Sequence, residues 1–102
     1  MLTSKQRAFL RGMGNQLEST FQIGKNGVTD NIINQYDQYL TVREIVKTNL
    51  LKNDDETPKD VANRIAEATG ADVVSVTGRK FVLYRRSDKL AEEGKALALP
   101  RG

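Results

Sequence analysis

Between Thr3 and Leu17 the apolar residues Phe9, Leu10, Met13 and Leu17 recur at helical spacing, which predicts an amphipathic helix with one buried stripe. Thr3 followed by Gln6 is a capping-box signature at its start. Gly12 and Gly14 weaken its second half, so the end is expected near Gln16. On a helical wheel Arg7 and Arg11 share a face away from the stripe. In Thr20–Ile23 the pattern changes to alternation, with Phe21 and Ile23 on one side of a short strand. Gly24-Lys25-Asn26-Gly27 breaks the chain. Helical spacing then returns from about Asp30 to Leu40 in Ile32, Ile33, Tyr36 and Leu40, with Thr29 as the cap.

The β-branched residues Val42, Ile45, Val46 and Thr48 predict a strand over Thr41–Leu50. Asn53-Asp54-Asp55-Glu56 reads as an exposed loop. Thr57, Pro58 and Asp60 supply a cap, a first-turn proline and a first-turn acid for a third helix. That helix runs through Val61, Ala62, Ile65 and Ala68 to Thr69, with Gly70 closing it. Asp72–Thr77 and Lys80–Arg85 form a hairpin around Gly78-Arg79. From Ser87 the pattern loosens, so residues 87–102 are expected to be a partly ordered tail, helical from Asp88 to Leu97, on a domain of residues 1–86. The order α-β-α-β-α-β-β predicts an α/β fold, a two-layer sandwich with a mixed four-stranded sheet. Its parallel pairing comes from the crossovers and its antiparallel neighbour from the hairpin.

Composition narrows the chemistry. The chain has 102 residues, enough for one core, and it contains neither Cys nor His. Disulfides, zinc-thiolate sites, thiol nucleophiles and imidazole bases are thereby excluded, and no enzyme, cofactor or metal is expected. No apolar run is long enough to span a membrane and none resembles a signal peptide, so a soluble, cytoplasmic protein is expected. The net charge is +3. Arg79, Lys80, Arg85 and Arg86 place four positive charges within eight residues, whereas Lys52–Asp60 holds four acids against two bases. One basic face and one acidic edge would orient a polyanion.

The segment that carries most chemical information is Ile23-Gly24-Lys25-Asn26-Gly27-Val28-Thr29, between a strand and a helix. Two glycines allow a tight turn and close backbone approach, the helix start favours an anion, and Lys25 adds a point charge. A GxxG loop clamping a nucleic-acid backbone is one reading, and a glycine-bearing turn is the other. Neither Gly24-Lys25 nor Gly94-Lys95 has the surroundings of a nucleotide-binding P-loop. Asp54, Asp55, Glu56 and Asp60 lack the ordered spacing of a calcium loop. Phe81 reads as core rather than as a stacking platform.

Five stretches then carry a family resemblance: Leu2–Arg11, Ile23–Thr29, Arg43–Lys47, Ala68–Gly70, and Gly78-Arg79 with Val82–Arg85. In this order the chain resembles the CRM (chloroplast RNA splicing and ribosome maturation) family, in particular its stand-alone bacterial YhbY-like members. The resemblance implies a fold similar to the C-terminal domain of translation initiation factor three. It also implies binding of ribosomal RNA in precursors of the large ribosomal subunit, with the family loop on Gly24, Lys25, Asn26 and Gly27. The family's basic positions fall on Lys5, Arg7, Arg11, Lys47 and Arg85, to which the charge cluster adds Arg79 and Lys80. The expected protein is monomeric when free. The alternative from another class is a small protein-interaction module whose basic face meets an acidic partner.

Overall fold

The computed structural model describes residues 2–24, 27–51 and 56–101. Helix α1 (Ser4–Gln16) opens on the expected capping box: Gln6 N donates to Thr3 Oγ1 and Thr3 N donates to Gln6 Oε1, both at 3.1 Å. Strand β1 (Phe21–Ile23), helix α2 (Asp30–Arg43) and strand β2 (Ile45–Leu50) follow. Helix α3 (Pro58–Thr69), the hairpin β3 (Asp72–Thr77) and β4 (Lys80–Tyr84), and the short helix α4 (Asp88–Glu92) complete the order. The hydroxyls of Thr29 and Thr57 cap α2 and α3, and Gly70 ends α3 at φ +74°.

The strands form one mixed four-stranded sheet in the order β1-β2-β4-β3, with β1 parallel to β2 and both other pairs antiparallel. Strand β4 thus lies between β2 and β3. The run Phe81-Val82-Leu83-Tyr84 explains that position: all four side chains are buried, and a strand with no polar face must be covered on both sides.

Alternation along the strands sorts the core into two halves. Ile23, Val46, Leu50, Phe81 and Leu83 pack under α2 and α3 against Tyr36, Leu40, Val61 and Ile65. Ile45, Val74, Val82 and Tyr84 face the other way and pack under Leu10 of α1. The expected two-layer packing therefore describes α2 and α3, while α1 forms a separate cover on the opposite face. Helix α1 approaches β4 closely, since a Cβ at Gly14 would stand 2.8 Å from Val82 Cγ2. A glycine is what that approach requires.

The end of α2 differs from expectation. The strand expected over Thr41–Leu50 starts later: Thr41, Val42 and Arg43 form the last turn of the helix. Tertiary partners override the β propensity. Ser87 Oγ donates to Thr41 O, and Arg85 Nη2 donates to Thr41 Oγ1 at 2.9 Å. The chain then reverses at Glu44, at φ +66°, a conformation that costs a non-glycine residue of order 1–3 kcal/mol.

Glu44 is fully buried, and its carboxylate carries the compensation. Oε2 accepts from Ser87 N and Oε1 from Leu97 N, each at 2.7 Å. These bonds tie residues after Arg86 into the body. Leu97 and Leu99 pack onto the α1 side of the core, and Gln6 Nε2 donates to Pro100 O at 3.1 Å. The segment expected as a partly ordered appendage, helical to Leu97, instead has a helix ending at Glu92 and a docked stretch without regular structure. The expected appendage lacked any pattern of its own because its partners lie far away in sequence.

Two predictions follow from this packing. Glu44→Gln replaces one acceptor by an amide donor facing a backbone N–H, so it should cost about 2–3 kcal/mol. In a domain of this size that is a fall of roughly 10–20 °C in Tm, together with lost hydrogen-exchange protection at the Leu97 amide. The second concerns alkaline pH. Burial pushes the Tyr36 hydroxyl pKa well above its ordinary value, partly offset by its hydrogen bond to Thr48, and burial followed by the charge of Glu44 raises that of Tyr84. A pKa raised on folding means the native state holds its proton longer. Stability should thus be intact below about pH 10 and decline above it, read by denaturant titrations at rising pH.

Candidate functional site

Strands β1 and β2 end, and α2 and α3 begin, at the same edge of the molecule as the β3–β4 turn. The glycine loop sits there. Gly27 N donates to Gly24 O at 3.1 Å, closing a turn, and Gly27 is buried at φ +67°. A Cβ on Gly27 would stand 3.4 Å from Glu56 Oε2, an ordinary contact, so it is the positive φ that favours glycine. Lys25 and Asn26 lie outside the described residues, as do Asn53, Asp54 and Asp55. The Glu56 carboxylate behind the loop pairs with Arg64, whose Nη1 stands 2.7 Å from Oε1, while the buried Oε2 has no hydrogen-bond partner among the described residues.

Arg79 belongs to the same end. Its Nε donates to Leu50 O at 3.1 Å and its Nη2 to Leu51 O at 2.9 Å. Leu51 N donates in turn to Ile23 O at 2.8 Å, the last residue before the loop. The guanidinium therefore fastens the strand end beside which the glycine turn is built. Lys80 is exposed and pairs with Asn49 across the ladder. Lys47 points to the α1 side of the sheet, where Nζ donates to Gly14 O at 3.0 Å. A cation is favourable at that helix end, which has no basic residue in its own last turn. Lys47, Lys80, Asn15, Ser75 and Thr77 border a shallow recess of about 110 Å³.

On α1, Lys5 and Arg11 are exposed, whereas Arg7 is half-buried and donates from Nη1 to Val73 O. That carbonyl lies at a register shift of the edge strand β3, between Val73 and Ser75. Arg7 supplies it with a donor, a role the helical wheel alone does not reveal. Arg85 lies apart from the other basic candidates, on the α2–α3 side. It donates to Asp37 Oδ1 at 2.5 Å, Asp37 O at 2.8 Å, Thr69 O at 2.9 Å and Thr41 Oγ1. Its charge is engaged in holding β4, α2 and α3 together.

Sequence reasoning did not find two concavities along α2. The first, of about 400 Å³, lies between β1 and α2 and is lined by Phe21, Gln35, Gln38, Tyr39 and Val42. Phe21 stacks on Tyr36 with ring centroids 4.6 Å apart and meets the edge of Tyr39 at 5.2 Å. The second, of about 530 Å³, opens between the end of α2 and the tail, with Arg43, Lys89 and Lys95 around it. The spacing of Gln35, Gln38, Tyr39 and Val42 was a legible signal for the first, since these positions share one helix face. No local signal announces the second, which unites α2 with residues docked by Glu44.

With this geometry established, the chain is assigned to a family of small α/β domains: it belongs to the CRS1/YhbY (CRM) domain family, whose model matches residues 2–85. A Bacillus subtilis protein named "Probable RNA-binding protein YqeI" is 39% identical over 100 residues, covering 98% of this chain and 100% of its own. A Haemophilus influenzae protein named "RNA-binding protein" is 34% identical and covers 98% of this chain and 96% of its own. The fold is shared by the Staphylococcus aureus protein SAV1595, a candidate RNA-binding protein known from a solution structure. It superposes with a TM-score of 0.78 at 38% identity, covering 98% of this chain and 100% of its own.

The different settings of the two helix arginines give a direct test. Arg7→Ala should lower stability by about 1 kcal/mol, through the lost bond to Val73 O, while Arg11→Ala should leave the thermal melt unchanged. Equal melts for the two variants would place Arg7 on solvated surface instead.

Proposed function

We propose that this protein is a non-enzymatic RNA-binding factor that acts on ribosomal RNA in precursors of the large ribosomal subunit. The observation that carries the reading is the buried, left-handed Gly27 turn at the start of α2, with Arg79 and Lys80 at the same end of the sheet. The start of α2 beside this turn favours an anion, and neighbouring cations add attraction without steric demand. Lys25 and Asn26 complete the loop, and Lys47, Lys5 and Arg11 extend the positive surface over the α1 side. Arg7 and Arg85 act instead within the fold, holding its elements in place.

Relatives named as RNA-binding proteins support this reading over the acidic-partner alternative. The absence of His and Cys supports binding rather than catalysis. Among the described residues no helix is long and apolar enough to cross a membrane. The protein is proposed to act in the cytoplasm, as a monomer when free. Phosphate contacts position such a protein and carry little sequence information, so selectivity falls to RNA shape.

The test combines salt and charge. With about four to six phosphates neutralised, the log–log dependence of affinity on salt should have a slope of roughly −3 to −5. Changing Lys25 and Asn26 together to Asp keeps both glycines and puts negative charge where a phosphate would sit. RNA affinity should fall by about tenfold or more with an unchanged circular dichroism melt, each tenfold being about 1.4 kcal/mol. A folded variant that cosediments with large-subunit precursors at wild-type levels would reduce the loop to a turn.

A further inference from the structure

The two concavities along α2 share Val42, which is 46% exposed and lines both. Together they form one path. It passes between the start of β1 and the middle of α2, and finishes at Arg43 in the last turn of the helix. Helix α2 has 14 residues and so spans about 20 Å.

The chemistry changes along that path in an ordered way. The middle section offers the partly exposed rings of Phe21 and Tyr39, with the amides of Gln35 and Gln38 beside them. An aromatic floor with amide donors and acceptors suits an unpaired nucleobase, whose flat face stacks and whose edge hydrogen-bonds. Gln35, Gln38, Tyr39 and Val42 form the stripe of α2 along this path, and none is acidic. The two acids of the helix fall elsewhere: Asp30 is in the first turn, and Asp37 is turned to Arg85. At the far end Arg43, Lys89 and Lys95 are all exposed around the second concavity. Glu93 offsets part of this charge, standing 3.8 Å from Lys95 Nζ, and the Glu44 carboxylate in its wall is occupied by two backbone N–H groups.

From this arrangement we infer that α2 and β1 form a track for a short unpaired RNA segment, with a base against Phe21 and Tyr39 and the neighbouring phosphates on Arg43, Lys89 and Lys95. The inference rests on the RNA-binding reading given above and adds a second contact, at the opposite end of α2 from the glycine loop. It also gives the docked tail a part in binding, since Lys89 and Lys95 come from it. A duplex could reach the cations but could not place a base in the middle section, because its bases are stacked and paired.

The experiment uses the full chain and a single-stranded RNA of mixed sequence, with a duplex of the same length as comparison. The triple variant Arg43→Gln, Lys89→Gln, Lys95→Gln removes three exposed charges and should melt as the wild type does. Its affinity for the single strand should fall by about tenfold or more, and its salt slope should become shallower by roughly 2, the value for three single-strand phosphates. Val42→Asp, at the junction of the two concavities, should weaken the single strand more than the duplex. Single-stranded RNA carrying 4-thiouridine should crosslink to the peptides that contain Phe21 and Tyr39.

Unchanged single-strand affinity and slope in the triple variant would overturn the track. Equal losses for duplex and single strand, or crosslinks confined to other peptides, would also overturn it. Retained RNA binding with loss of a protein partner from large-subunit precursors would assign the groove to a protein and overturn it too. The Lys25→Asp, Asn26→Asp variant is run in parallel. If that variant loses RNA while the triple variant does not, the track fails and the RNA-binding reading stands. If neither loses RNA, both fail.

Discussion

The buried carboxylate of Glu44 is the contact on which several other parts of this structure depend. It occupies a left-handed reversal between α2 and β2, where the backbone would normally call for glycine. Its two oxygens accept from Ser87 N and Leu97 N, and its own carbonyl accepts from Arg85 N. One side chain thereby joins the helix end, the exit of the central strand β4 and the tail. Burying such a group is costly unless its oxygens are hydrogen-bonded, and here the partners are backbone donors that otherwise would need partners of their own. The last turn of α2, the seating of Leu97 and Leu99 on the core, and the basic concavity beside Arg43 all follow from that arrangement.

The basic residues show a related economy. Arg7, Lys47, Arg79 and Arg85 each donate to backbone carbonyls at places where regular structure leaves an acceptor over: a register shift, a helix end, a strand end and the junction of two helices. A count of positive charges on the sequence therefore overstates what is free to meet a polyanion. The same bonds make the remaining charge more useful, because a fixed cation gives up less conformational freedom on binding than a mobile one. An arginine carries five donors, so Arg79 can hold the end of β2 and still present N–H groups to solvent.

Much of the fold was legible because its signals are local. The capping box at Thr3, the caps at Thr29 and Thr57, the closing Gly70, and the hairpin at Gly78-Arg79 depend on residues a few positions apart, and the structure places them as expected. The glycine turn was legible for the same reason, as Gly24 and Gly27 are separated by a single turn. The end of α2 was not. Thr41 and Val42 prefer strands by themselves, and their helical state is set by Ser87 and Arg85, more than forty positions away in the chain. The different settings of Arg7 and Arg11 were equally hidden, because a helical wheel reports direction and not what stands opposite.

The sequence by itself determined which elements form, in what order, and that a glycine-bearing loop meets a helix start in a chain rich in positive charge. These are properties of spacing, capping and composition, and they act within a turn or a strand. Only the tertiary structure decided that β4 is central, that α1 covers the second face of the sheet, and that the tail docks. It also decided which cations are committed to carbonyls and which surround an open groove. The physical reason is that burial and hydrogen-bond satisfaction are settled between elements: Phe81–Tyr84 demands cover on both faces, Glu44 demands donors, and neither demand names its partner until the chain has folded.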